Sequence, residues 1–314
     1  MALKRPSTPL IATLPGLATE TISRTLAADY QHCHAIMSAA SKNYSFASRM
    51  LPANKAHHVA ALYAVLRVGD DRVDVHHTGF DSARAAIEDW QTSYYRAFET
   101  GDSPHPVLRA YLHTAQQFGI APDLLTAYFR AMLDDLTVTR YPTFADLLHY
   151  MEGSAIPVGR AMTHILGTTT SSIFAAYPAA DALAIAMQLS NFWRDIGEDW
   201  ARGRVYIPQE DMARFGVSDD DLAAGRVSEN LIALLEFEFA RTEQYYEQAR
   251  RGIALLASGR LGVMSALEIY RAIMDGIRRN SYDVFTRRAG TSTARKIALI
   301  WRAWRQVQQM SPGK

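Results

Sequence analysis

Cysteine is nearly absent, Cys33 being the only one in 314 residues. A lone thiol excludes an intrachain disulfide and argues for a reducing compartment, so a cytoplasmic location is expected. Long hydrophobic runs are lacking too. No uninterrupted apolar stretch reaches the roughly 18 residues that mark a membrane-spanning helix, and none is predicted. Neither sign of charge dominates, with 33 basic against 32 acidic residues. That balance, without a long basic block, excludes the electrostatic footprint of a nucleic-acid-binding protein. No Pro/Gly/Ser-rich linker divides the chain, no internal repeat is visible, and no run alternates as a strand would. A Gly-x-Gly-x-x-Gly dinucleotide fingerprint is also missing. The opening MALKRPSTPLIATLPGL carries a basic pair, but Pro6, Pro9 and Pro15 interrupt any apolar core. Residues 1–17 are therefore expected to be a flexible leader rather than a secretion signal.

What is present is helical period. The composition, 48% hydrophobic and 21% charged, is that of an ordinary globular protein. Apolar residues recur at helical spacing over 18–40, 80–100, 106–118, 122–136, 144–166, 228–257, 261–288 and 291–310, with further helices after Pro52 and from Asp181. Prolines open several of them at first-turn positions, and Thr143 is placed to cap another. About ten helices in one domain, residues 18–314, predict an all-α bundle around a central cavity. Within 144–166, Gly153, Pro157 and Gly159 make a poor helix interior. Such a break either accommodates packing or lets a ligand approach the backbone. The polar pair His76-His77 reads as a helix end on the surface, and Asp134-Asp135 as structural.

Two stripes carry the chemistry. Gln188, Asn191, Asp195 and Asp199 fall three to four residues apart and share one helical face. Tyr63, Arg67, Asp70 and Asp74 do the same on another helix, with Arg72 pointing away. One Asp-x-x-x-Asp recurs about once by chance in a chain this long and is usually a solvated face. Two of them, each with an arginine at short range inside an apolar helix, are a different matter. Carboxylates on one stripe repel each other unless cations lie between them. A hard cation such as Mg²⁺ binds through one or two carboxylates plus substrate phosphates. Arg194, Arg202 and Arg204 supply further positive charge for a diphosphate. Metal and arginine together would neutralise a departing diphosphate, and the carbocation left behind needs a dry apolar cavity. The 15 Tyr, 12 Phe, 5 Trp and 11 Met could line one, although most are ordinary core.

From Ser41 to Arg288 the chain resembles the squalene/phytoene synthase family, the head-to-head members of the all-α isoprenoid synthases. Residues 41–52 (SKNYSFASRMLP) look like the family's first loop, and Asp70-Asp71-Arg72-Val73-Asp74 like its first aspartate-rich motif. Residues 191–199 with 202–208 resemble the second motif and its tail. Tyr270 and residues 282–288 resemble the late helix. Residues 150–159 resemble the segment that usually reads Tyr-Cys-x-x-Val-Ala-x-x-Val-Gly, but here it has Ser154-Ala155-Ile156-Pro157.

The resemblance implies that two prenyl diphosphates bind, that one ionises, and that a cyclopropylcarbinyl diphosphate forms before rearrangement to a linear product. Asp70, Asp74, Asn191, Asp195 and Asp199 would hold two or three Mg²⁺, or Mn²⁺ in their place. Ser41, Lys42, Arg67, Gln188, Arg194, Tyr270 and Arg287 would hold diphosphate, and Tyr63, Tyr150 and Tyr206 would face the cations or order the metal shell. Phytoene synthesis from geranylgeranyl diphosphate is the leading expectation, without NADPH. A squalene-type enzyme using farnesyl diphosphate is the alternative, and a non-catalytic assembly-factor relative a remote one. Peripheral membrane contact is expected of the basic, Trp-bearing segment 291–310. The sequence sets no oligomeric state.

Overall fold

The structure is a computed structural model and describes residues 24–74 and 79–310, with the Arg24 and Asp74 side chains outside that set. The leader 1–17, the start of the first helix and His76-His77 lie outside the described residues. Helices account for all the regular structure described. The β pairings are two isolated bridges, Arg140 with Val205 and Thr168 with Leu256.

The first half of the chain forms α1 (Arg24–Ala40), α2 (Lys42–Ser48), α3 (Ala53–Asp74), α4 (Ala83–Thr100), α5 (Pro106–Phe118) and α6 (Thr126–Asp134). Local chemistry sets these boundaries. The Ser41 and Ser82 side chains accept from the third backbone N–H beyond them, satisfying donors that a helix start leaves orphaned. Helices α1, α3, α4, α5 and α6 enclose one core, centred on Tyr30, Trp90, Tyr94, Tyr111 and Phe129. Arg72 does point away from the acidic stripe: it donates to Asp89 and the Ala86 carbonyl at 2.7 Å each and ties α3 to α4.

The second half forms α7 (Phe144–Ser154), α8 (Ile156–Leu166), α9 (Tyr177–Arg194), α10 (Ile196–Ala201), α11 (Gln209–Phe215), α12 (Asp219–Ala224), α13 (Glu229–Gly252), α14 (Arg260–Arg279) and α15 (Thr293–Gln309). A second core gathers on α9, α13 and α14 around Trp193, Phe239, Tyr246 and Leu267. Trp193 donates its indole N–H to Thr242 at 2.9 Å and locks α9 to α13. Leu51, Tyr150 and Met162 pack against both cores, and the cavity lies where the two meet.

Three expected helices are interrupted. The 144–166 helix hinges at Ala155, whose φ/ψ of −124°/−48° ends α7 before Pro157 restarts the chain in the first turn of α8. The helix expected from Asp181 begins earlier, at Tyr177, and breaks at Asp195. The helix expected over 261–288 stops at Arg279. Ser281 and Tyr282 adopt positive φ (55° and 59°), and the chain folds back as a strap over 283–290.

Helix α9 with the turn before it, Ile173–Arg194, is long and apolar enough by composition to cross a bilayer, although the expectation was that no segment would be. Asp181, Gln188 and Asn191 interrupt it, and it packs along α13, α8 and α14 as a central helix. Asp181 takes a two-point contact from Arg160 at 2.8 and 2.9 Å.

Candidate active site

A cavity of about 790 Å³ runs between the two cores. Its longest wall is α9, 18 residues and therefore about 27 Å long. Along that wall the side chains change character at helical spacing. Ala180, Ala184 and Met187 come first, then Gln188, Asn191 and Arg194. One end is thus apolar and built of small groups, the other polar. The apolar end is completed by Ala176, Ala249, Gly252, Ile253 and Leu256. Gly159 belongs to the same construction, because a Cβ there would lie 2.7 Å from the Ala180 carbonyl oxygen.

The polar end collects residues from five separate stretches. Helix α3 contributes Tyr63, Arg67 and Asp70; the start of α2 contributes Ser41, Lys42 and Tyr44; α14 contributes Tyr270. From α9 come Gln188, Asn191 and Arg194, and from the last stretch Arg288 and Lys296. Nine residues singled out from the sequence (Ser41, Lys42, Tyr63, Arg67, Asp70, Gln188, Asn191, Arg194 and Tyr270) therefore line one cavity. The α7–α8 hinge joins them through Ser154, Ala155 and Val158, and the buried Ser154 hydroxyl has no hydrogen-bond partner there. Gly153 and Gly159 answer close packing, and Ser154, Ala155, Val158 and Gly159 at the hinge border the cavity.

Asp195 and Asp199 stand behind this lining. Arg194 and Arg288 each grip the Asp195 carboxylate with two nitrogens, Arg288 at 2.8 and 3.0 Å. Burial opposes ionisation of Asp195, but those hydrogen bonds outweigh it and hold the carboxyl below its usual range. Asp199 has no such grip. Burial, and then the neighbouring Asp195, push its carboxyl up to about 7. On the other stripe, the Tyr128 hydroxyl lies 3.0 Å from Asp70 Oδ1 and 2.6 Å from the Leu66 carbonyl oxygen. Only glycine fits at 69, since a Cβ there would meet the Tyr128 hydroxyl oxygen at 2.2 Å.

Three expectations need correction in place. Both side chains are largely exposed, Arg287 73% and Arg288 62%, but Arg287 comes no nearer than 4.0 Å to Asp283, while Arg288 grips Asp195 and lines the cavity. The cause is the strap: without helix after Arg279, helical spacing from Tyr270 no longer says which arginine reaches Asp195. Tyr150 and Tyr206 do not line the cavity. They sit in an aromatic stack behind it, Tyr206 parallel to Phe192 with centroids 4.0 Å apart, and Tyr150 donating to Asp135 at 2.9 Å. Asp135, half of a pair read from the sequence as merely structural, thus backs this stack, and the Arg204 guanidinium lies 3.3 Å from its carbonyl. Lys296 is buried against the cavity with its ammonium 5.4 Å over the Phe46 ring.

The squalene/phytoene synthase family model matches residues 37–295. The chain belongs to the squalene/phytoene synthase family. A 15-cis-phytoene synthase of Synechococcus elongatus is 32% identical over 304 residues, which is 93% of this chain and 96% of the relative. A phytoene synthase of Arthrospira platensis is 32% identical over 86% of this chain and 91% of its own length. Among solved structures, a dehydrosqualene synthase in complex with ligand superposes with a TM-score of 0.83 at 28% identity, covering 90% of this chain and 98% of that one. Squalene synthase HpnC from Alicyclobacillus acidocaldarius gives 0.73 at 28% identity, over 83% and 97%.

In this member of the family the donor set at the polar end suits a hard cation, being made of carboxylate and amide oxygens. Among the described residues no three carboxylate, imidazole or thiolate groups converge on one point. The reason is visible: arginines occupy Asp195, Asn191 is an amide, and the Asp74 side chain lies outside the described residues. Asp199 is a half-buried carboxyl whose charge burial and the neighbouring Asp195 oppose and Arg202 and Arg204 only partly offset, the kind of group a bound cation would relieve. Arg288 and Lys296 escaped the sequence reading. A basic residue just before the last helix and one in its first turn were the only available signal.

Proposed function

We propose that the protein condenses two molecules of geranylgeranyl diphosphate head to head to give phytoene, through a cyclopropylcarbinyl diphosphate. The observation that carries this reading is the cavity's division. Lys42, Arg67, Arg194, Arg288 and Lys296 gather at one end, and alanine, glycine, leucine and isoleucine line the other. Diphosphates would lie on the cations, with hydrogen bonds from Ser41, Gln188 and Tyr270, and prenyl chains would lie along α9. Asp70, Asp74, Asn191, Asp195 and Asp199 would hold Mg²⁺, which when bound supplies charge neutralisation of the leaving diphosphate. Arg194 and Arg288 would exchange part of their contact with Asp195 for phosphate oxygens and stabilise negative charge as it develops. The C1 cation so released is attacked by the double bond of the second substrate, and loss of a proton closes the cyclopropane ring.

The phenols suit that chemistry. Burial raises Tyr63 to about 12, with Tyr270 beside it adding to the effect. Burial likewise raises Tyr44 and Tyr270. They stay neutral at cellular pH and offer ring faces to a cation rather than a phenolate that would trap it. Tyr150 and Tyr206 would brace the metal-binding face from behind.

A farnesyl diphosphate-using, squalene-type reaction is the second reading, favoured by the likeness to dehydrosqualene and squalene synthase structures. The C20 substrate is supported by the relatives named phytoene synthase and by the small residues that keep the apolar end open. Either reading fits a cytoplasmic protein in peripheral contact with membranes, where such chains partition. Purified protein incubated with Mg²⁺ and each diphosphate, with and without NADPH, distinguishes them by product. Phytoene without NADPH is expected. Squalene or dehydrosqualene made preferentially from farnesyl diphosphate would replace the first reading with the second, and absence of any hydrocarbon would refute both.

A further inference from the structure

The Asp195 carboxylate is saturated with donors. Arg194 reaches one oxygen through Nε and the other through a terminal nitrogen, and Arg288 does the same at 2.8 and 3.0 Å. Each oxygen thus accepts from both arginines, which uses the roughly four lone-pair positions of a carboxylate. Asp195 can serve a cation only if one guanidinium gives way. The two arginines differ in where they can go. Arg194 ends α9 with its side chain 14% exposed, and among the described residues its ion pair is with Asp195 alone. Arg288 stands on the strap and has a second carboxylate in reach, Glu198 Oε2 at 3.7 Å from its Nε. Glu198 follows three residues after Asp195, in α10 and outside the cavity lining. Its other oxygen is held by Arg202 at 3.2 Å. The reaction as derived above gives Glu198 no task.

We propose that Glu198 is a positioning residue: it receives Arg288 when Asp195 takes up a cation, and keeps that guanidinium at the polar end for the diphosphate. A guanidinium displaced by a cation is repelled by it, and an arginine this exposed would otherwise extend into water and lose its orientation. A carboxylate already fixed by Arg202 offers a charged partner close by, with little further ordering of its own side chain. The backbone keeps donor and acceptor together. Gly197 of α10 donates to the Val284 carbonyl of the strap at 3.1 Å, so Glu198 and Arg288 are carried by joined segments and only the arginine side chain has to turn. The inference deepens the proposed function and rests on it for the cation and the diphosphate. Diphosphate is common to both prenyl substrates, so the role is the same whichever one the enzyme uses.

The test is calorimetric titration of the full chain with inorganic diphosphate, with and without Mg²⁺. It compares wild type, Glu198→Gln, Arg288→Ala and the double variant, each first shown to be folded by circular dichroism. Glutamine keeps the shape of Glu198 and removes its charge. Taking a negative charge from beside an anion site tightens binding if charge is all that matters, whereas losing a positioning residue weakens it, so the sign discriminates. With Mg²⁺, Glu198→Gln is expected to bind diphosphate about three- to fivefold more weakly, the upper range for an ion pair between exposed partners. Without Mg²⁺, where Arg288 stays on Asp195, the change should be less than about twofold. In the Arg288→Ala background the substitution should lose its effect. Unchanged or tighter binding with Mg²⁺, an equal loss without it, or the same loss without Arg288 would each overturn the proposal. So would wild-type affinity for diphosphate that ignores Mg²⁺. The expected binding pattern in a protein that makes no phytoene would refute the proposed function and uphold the role of Glu198.

Discussion

Arg287 and Arg288 adjoin in sequence, and the strap between α14 and α15 sends one side chain to solvent and the other onto Asp195. A guanidinium that already holds two carboxylate oxygens is placed to transfer the same fork to a phosphate. Arg288→Ala is expected to cost on the order of 2–4 kcal/mol of transition-state stabilisation, the usual loss for one preorganised electrostatic group. Arg287→Ala should stay within about twofold of wild type, as an exposed surface substitution does. Steady-state turnover of both variants at saturating Mg²⁺ checks this, and the reverse ranking would return Arg287 to the site. Asp199 is the complementary residue. Its carboxyl sits near 7 because burial and Asp195 oppose its charge, a cost that a bound cation would remove.

At the scale of elements, the strap depends on one glycine. Gly197, in the first turn of α10, donates its N–H to the Val284 carbonyl at 3.1 Å, and a Cβ there would meet Phe285 Cα at 2.7 Å and the Val284 oxygen at 2.9 Å. These are backbone atoms, which cannot swing aside. Gly197→Ala should therefore displace the strap, draw Arg288 from Asp195 and lower turnover at least tenfold, with overall helicity unchanged by circular dichroism. Normal turnover would mean that the strap is not what sets Arg288. Helices α11 and α13 make a second such joint, where Arg241 bridges Asp211 and the fully buried Glu238 at 2.8 and 3.0 Å. Burial pushes Glu238 up to about 8, Arg241 opposing and Asp211 adding to the shift. A raised folded-state value means that the folded protein keeps a proton the unfolded chain has lost. Stability contributed by this group is full below the unfolded value near 4.5 and is lost as pH rises through 8. Glu238→Gln should flatten that slope, which denaturant unfolding at mildly acidic and mildly alkaline pH would measure. These joints also show why the sequence was legible where it was. On α9 the polar stripe Gln188, Asn191 and Asp195 stands out at helical spacing without coordinates, whereas the small residues Ala180 and Ala184 that line the cavity carry no such mark. The strap has no mark either: Ser281 and Tyr282 take left-handed backbone without being glycine, so the end of α14 and the arginine that reaches Asp195 are tertiary outcomes. Lys296 was hidden for a related reason, because period separates the faces of a helix but does not say which face meets the cavity.

For the molecule as a whole, two cores meet along a cavity whose length is shared between them, and α9 measures that length from Ala176 to Arg194. The polar end is fixed by polar and charged groups from five stretches and leaves little freedom. Chain-length selection therefore belongs to the apolar end, where what matters is how little the side chains fill. Ala179 is not free to grow there, since it abuts Gly252, where an added Cβ would lie only 2.0 Å from the Ala179 Cβ. Ala180 lines the open space one residue on. Ala180→Phe should shorten the cavity from that end while leaving Arg194, Arg288 and the acidic residues in place. A C20 chain would lose its terminal units' room, whereas a C15 chain would still fit. Preference measured as kcat/KM for geranylgeranyl over farnesyl diphosphate should then fall by roughly 10- to 200-fold, the range that small apolar differences in a pocket provide. Unaltered preference would place the end of the prenyl chain elsewhere. Equal loss with both substrates would instead mean that the larger ring had disturbed the α8–α9 packing at Gly159, which Gly159-neighbouring Ala184→Phe, with its Cβ close to the same glycine, should reproduce more strongly.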